Sequence, residues 1–416
     1  MKLSRIGRIS MAFVVSVAMG LGMTACGGGT VGFMWVLGTQ YNQIAGFKID
    51  DFTGNLTAIP KSPFSSGGAN PVSLVVKPGG RYLYVINKGG TTTGTGATLP
   101  CGTGGGIAEF SIGGEGALTF QQCFQSQGTN PIWATMDSTG SFLYVLDNQA
   151  PALKDGTLPA NGDITVFSVA NDTGRLTLVL NNQIKDPITG LQITYFPVGP
   201  NPTMLKLAGG GCLMTMNAGD QTIYPYTVGA AGQLTLTTNS TITTGATRLT
   251  SINANGNFVY LTDAGAAGTP GQILPYTVGT SCALSIVTGG PVPNLPSVAN
   301  PVFSLVNSKG TRLYVLNQSS TNTTTPNSSI SGFNILTNGQ LQQLADTTNN
   351  PFAVGSAPVC MVQDPTFQYF YTSNGDGTVT GKIYDDTTGA LSNLRRGSTF
   401  PATGQTTCLA VSGNVN

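Results

Sequence analysis

No histidine occurs in the 416 residues, and glutamate occurs only as Glu109 and Glu115. The first absence excludes a Ser-His-Asp triad and removes the side chain that most readily exchanges protons near neutral pH. Charge is scarce altogether: 8% of residues are Asp, Glu, Lys or Arg, against roughly 25% in an average soluble domain. The good helix formers among them are therefore few, while 57 Gly and 24 Pro punctuate runs of β-branched and aromatic residues. That is the composition of a turn-rich β protein. Neither a phosphate-cradling Gly loop nor a Cys-pair zinc motif is present, so no cofactor and no metal is expected.

The N-terminus, MKLSRIGRISMAFVVSVAMGLGMTAC, sets Lys2, Arg5 and Arg8 before an apolar run from Ile9 to Leu21 and small residues before Cys26. A basic head and an apolar stretch too short to span a bilayer comfortably predict a secretory signal over residues 1–25. The tail MTAC resembles a bacterial lipobox, with Met23 where Leu is usual, so Cys26 is expected to be lipidated and to anchor the chain to a membrane of the cell envelope. Residues 26–31, rich in Gly, read as a tether. Loss of the signal removes three basic residues and leaves fifteen against seventeen acidic ones. No basic patch for nucleic acid survives, and no nucleic-acid partner is expected.

The segment GRYLYVINKGG, from Gly80, recurs as GSFLYVLDNQ from Gly140, GNFVYLTDAG from Gly256 and GTRLYVLNQS from Gly310, with looser copies around Trp35, Met214 and Tyr371. Seven copies align on Trp35, Tyr84, Tyr144, Met214, Tyr260, Tyr314 and Tyr371, at intervals of 46 to 70 residues. Periods of this size mean propellers, solenoids or arrays. Each copy, the second strand of its unit, is followed by a third (IAEFSI, ITVFSV, ISGFNI) and by a fourth opened by a turn (EGALTFQ, TGRLTLVL, NGQLQQLA). Six are preceded by an apolar segment such as GANPVSLVV from Gly68 or GPNPTMLKL from Gly199. A strand apolar on both faces belongs in the interior. The first copy lacks that segment, and GQTTCLAVSG, from Gly404, supplies it at the other end of the chain. The predicted fold is therefore all-β: one seven-bladed propeller over residues 32–416, with four-stranded antiparallel blades and the C-terminal strand closing the first.

Removal of Cys26 leaves six Cys, an even set in an exported chain with fifteen possible connectivities. Cys101 and Cys123 fall at the same end of the second blade's outer hairpin and form the first expected pair. Cys360 and Cys408 fall on the inner strands of the last and first blades, one register position apart, and are expected to face each other across the closing seam. Cys212 and Cys282 pair by elimination.

The repeated LYV-N strand, the TG-L turn and the G-NP inner segment, spread over the whole mature chain, resemble the lactonase family of seven-bladed propellers. That family includes propeller-type 6-phosphogluconolactonases, carboxymuconate lactonising enzymes and many exported YVTN-repeat proteins. The resemblance implies architecture more than activity. It implies His, Glu and Arg around an axial pocket, and this chain has no His and both Glu on the second blade's hairpin. The Tyr column reads as packing between blades. The Asn/Asp column, including Asp147, Asn217, Asp263 and Asn317, reads as turn capping at the loop face, where it also offers ligand-binding candidates together with Lys88. Arg248 is read as occupying the place of Pro71, Pro131, Pro202 and Pro358, where it could clamp a carboxylate or phosphate. No catalytic residue is assigned. The expected function is a monomeric, lipid-anchored module of the bacterial envelope that binds an unknown small molecule or envelope protein; the alternatives are a lactonase using Asp and Arg, or a structural scaffold.

Overall fold

The structure is a computed structural model that describes residues 29–92, 98–186, 189–237, 241–320, 327–345 and 349–413. The signal segment and Cys26 lie outside the described residues. Seven antiparallel sheets follow one another along the chain. Blade 2 shows the plan: Pro71–Val76, Tyr82–Asn87, Gly106–Ile112 and Leu118–Phe124 pair in that order. The inner strands of blades 3 to 7 are Thr129–Met136, Pro202–Ala208, Leu249–Asn255, Val298–Val306 and Pro358–Gln363.

Thr406–Gly413 pairs with Thr30–Gly38 and becomes the inner strand of blade 1. It touches the inner strands of both blade 2 and blade 7, and every other inner strand likewise touches its two neighbours. The ring is closed by the chain's own tail, which covers the edge that Thr30–Gly38 would otherwise present. Six blades carry a short fifth strand beside the third, an addition to the expected four. The fourth strand is short in those blades and leaves the start of the third uncovered, as where Ile223 takes Ile242. In blade 2 the fourth strand pairs along the third as far back as Ile107, which leaves no room beside the third for a fifth.

The Tyr column holds neighbouring blades together. Tyr84 Oη donates to Gly174 O at 2.5 Å, Tyr260 to Gly339 O at 3.1 Å, Tyr314 to Gly389 O at 2.8 Å and Tyr371 to Gly54 O at 2.6 Å. Trp35 Nε1 does the same to Gly116 O at 3.1 Å. Each acceptor is the turn glycine of the next blade, and that turn needs a positive φ, +72° at Gly174, which only glycine adopts freely. Blade 4 has Met214 in the column, and the facing turn of blade 5 has Cys282, at φ 64°, in place of the glycine. There the clasp is covalent: Cys282 is bonded to Cys212.

Cys101–Cys123 and Cys360–Cys408 are also bonded. The second bridge staples blade 7 to blade 1, but not from opposite register positions. Cys360 pairs with Ser373, two beyond Tyr371. Leu409 pairs with Val36, one beyond Trp35, which sets Cys408 at the same level as Cys360. Both sulfurs thus lie on one ring level, and the seam between adjacent inner strands is close enough (Cα–Cα 5.1 Å) to need no offset.

Candidate functional site

The same ring level carries Trp133 on blade 3 and Phe303 on blade 6. These blades stand nearly opposite one another, yet the two rings lie 6.4 Å apart between centroids. They meet across the axis and divide the channel. On the side of the turns that join first and second strands, a cavity of about 370 Å³ is lined by Trp133, Thr135, Asp137, Lys206, Asn253 and Phe303 among others.

Lys206 is the cation in that wall. It pairs opposite Met214, a level at which the other blades place Val75, Thr135, Asn253, Leu305, Val362 and Ala410. The side chain is half-buried, and enclosure by the inner strands lowers its pKa because a charged ammonium loses hydration there. Two lysines that are buried have amide partners: Lys77 Nζ donates to Asn171 at 3.0 Å and Lys382 Nζ to Asn393 at 2.6 Å. Among the described residues Lys206 Nζ has no acceptor. The carboxylate of Asp137 is engaged by its own turn, taking the Phe142 N–H at 2.6 Å and the Thr139 N–H at 3.2 Å. Asn253 is tied to Ser304 O at 2.9 Å. The arrangement can receive an anion, with amide and hydroxyl groups beside it and an aromatic floor.

The residues singled out in the sequence lie elsewhere. Arg248 does not stand in the proline position: Leu249 pairs with Asp263 as Pro71 pairs with Asn87. The loop entering blade 5 carries one more residue between its glycine and the strand, which moves Arg248 outward by one. Its side chain is exposed and reaches Asn300 Oδ1 at 3.5 Å. Asp263 is beneath it and accepts the backbone N–H of Arg248 at 2.8 Å and of Gly265 at 2.9 Å, and Gln272 Nε2 at 3.0 Å. Burial raises its pKa, but the hydrogen bonds from Arg248, Gly265, Gln272 and Thr247 outweigh that and hold it below the usual value.

Asn217 and Asn317 are fully buried. Asn217 donates to Thr222, and Asn317 donates to Ser331 Oγ at 2.8 Å while accepting from Asn294 at 2.9 Å. Lys88 is exposed at the end of its strand. Arg248 and Asp263 are the members of this set that come together, and none of the six lines the axial cavity.

Asp147 faces a second carboxylate, Asp163, directly across the sheet, and both are fully buried. Asp147 accepts Ser126 Oγ at 2.6 Å and Thr165 Oγ1 at 3.1 Å, whereas Asp163 Oδ1 has no partner. Burial raises both pKa values, and the neighbouring charge of Asp147 raises that of Asp163 further. Enclosure and mutual repulsion favour the protonated form over two charged carboxylates.

No family profile and no curated protein matches the sequence. Its fold does match solved structures. A protein from Lactobacillus plantarum superposes with a TM-score of 0.65 at 19% identity, covering 92% of this chain and 100% of that one. A candidate 6-phosphogluconolactonase from Bacteroides uniformis gives 0.65 at 13%, covering 92% and 100%. The periplasmic gluconolactonase of Pseudomonas aeruginosa gives 0.62 at 15%, covering 93% and 100%. The chain is thus similar in fold to lactonase-like seven-bladed propellers.

Proposed function

We propose that this protein is an exported, membrane-tethered propeller that binds a small anionic molecule in its axial cavity and does not transform it. The observation that carries the reading is Lys206: a half-buried ammonium in the cavity wall with no protein acceptor among the described residues, which an anionic ligand would pair. Export is supported by the signal-like N-terminus and by three disulfides, which persist in oxidising compartments. The binding reading is supported by the cavity wall, whose carboxylate is already engaged by backbone N–H donors.

The test is calorimetric titration of the mature chain with small carboxylates and phosphates. One equivalent of an anion binds the native protein, and Lys206→Met weakens it about tenfold or more, as loss of a charge-assisted contact does, without lowering Tm. Equal affinity in the variant refutes the reading. A second reading, lactone hydrolysis, draws support from the name of the Pseudomonas neighbour and from the Arg248–Asp263 pair on the opposite face. Turnover of a lactone panel that disappears in Arg248→Ala would establish it instead.

A further inference from the structure

Blade 3 carries two long connecting segments, the second of which its sisters lack. One, residues 150–160, joins its second and third strands; the other, residues 180–195, joins its fourth and fifth. Among the described residues of the second, buried Asn181 donates to Tyr195 O at 2.8 Å and accepts the N–H of Gln183 at 2.9 Å and of Ile184 at 3.1 Å, and Lys185 bridges Gln192. The first is pinned by Ala150 N–H to Asn161 O and Leu153 N–H to Thr157 O. Between them lies a cavity of about 250 Å³ walled by Leu153, Pro159, Ile184, Ile193, Tyr195 and Pro197, with Lys185 at its rim. A neighbouring cavity of about 160 Å³ shares Leu153, Ile193 and Tyr195 and carries Lys154.

A preformed pocket lined mostly by apolar groups takes an apolar guest. Its rim fixes the charge that guest can carry. Among the described residues neither Lys154 nor Lys185 forms an ion pair, while the adjacent acids are engaged in turns: Asp155 takes the Thr157 N–H at 2.8 Å and Asp186 the Thr189 N–H at 3.0 Å. We propose that the lateral cavity of blade 3 is a binding site for a small monocyclic aromatic anion, its ring between Leu153 and Ile193 and its charge toward Lys185.

Benzoate and benzylamine, one ring with opposite charges, test this by NMR titration of the mature chain. Benzoate saturates a single site here, read from the shifts of Ile184, Ile193 and Tyr195, and benzylamine binds it about tenfold more weakly, a difference of about 1.4 kcal/mol. Ile193→Trp, which fills the cavity, abolishes the benzoate-induced shifts of Ile184, Tyr195 and their neighbours whatever the axial cavity takes up; Leu153→Trp fills it from the other wall should the first variant not fold. Lys206→Met leaves benzoate binding here unchanged, which separates this site from the axial one. Benzoate binding that is lost in Lys206→Met but kept in Ile193→Trp, or no benzoate binding at all, overturns the proposal.

Discussion

Blades 3 and 5 both carry Tyr and Asp in the repeated columns, and they treat them oppositely. In blade 5, Tyr260 Oη reaches Gly339 O and Asp263 collects backbone and side-chain donors. In blade 3, Tyr144 Oη has no partner, and Asp147 faces Asp163 in an enclosed pair with one oxygen unbonded. One sequence signature thus yields a satisfied site and an under-satisfied one. What differs is the residue across the sheet, Gln272 against Asp163. The column fixes where an acid goes; its cross-strand neighbour fixes how it titrates.

The largest effect is expected where blade 3 is tightest. A Cβ on Gly128 would collide with Asp163 Oδ1 and stand 2.6 Å from both Asp147 Cβ and Gln149 O. Gly245, which opens the corresponding segment of blade 5, has open space around its Cβ position and a φ of +71°. Gly128→Ala should cost about 3 kcal/mol through overpacking, and Gly245→Ala about 1 kcal/mol through backbone strain alone. Urea denaturation measures both, and equal costs would remove the contrast.

Next come the acids, whose pH dependences should run in opposite senses. Asp147 is raised up to about 7 in the folded protein, above an unfolded value of about 3.9, so the native state binds more protons across that window. Stability therefore falls as pH rises from about 4 through 7. Asp163→Asn places an amide donor beside Asp147 and removes the repulsion; it should stabilise by about 2 kcal/mol at pH 8 and by almost nothing at pH 4. Asp263 is lowered, so its contribution is present above the unfolded carboxylate value and disappears as pH falls through the folded one. Asp263→Asn should cost about 1 kcal/mol at pH 7 and little at pH 3. Parallel Tm–pH curves for the two variants would show that the cross-strand neighbour does not decide.

The fold was legible because it is written seven times, and closure because the segment missing before Trp35 reappears at Gly404. The Cys212–Cys282 clasp could have been found directly, since Met214 and Cys282 interrupt the Tyr and Gly columns at facing positions. Lys206 was visible as a charge inside an otherwise apolar inner strand, but its want of a partner depends on six other strands. The Asp147–Asp163 pair was hidden because the 150–160 segment separates the two acids by an interval no sister blade shares. Trp133 and Phe303 meet only after the ring closes, three blades apart. Repetition discloses packing; the site lies where residues at one level differ.

The smallest effect isolates a single hydroxyl. Tyr144 and Tyr260 are both fully buried, and burial raises the pKa of each far above the ordinary phenol value, so both remain neutral at any pH the protein tolerates. Removing the oxygen therefore changes hydrogen bonding and packing, not charge. Tyr260→Phe strands Gly339 O and should cost about 1 kcal/mol. Tyr144→Phe deletes a hydroxyl that is desolvated without compensation, so the same substitution should be neutral or stabilising by a few tenths of a kcal/mol, as the release of an unpaired polar group predicts. The two variants share a repeat position, a residue type and a degree of burial, so the difference in their unfolding midpoints reads out the clasp itself. Equal losses would mean that Tyr144 finds a partner in solution and that blade 3 is held to blade 4 as blade 5 is to blade 6.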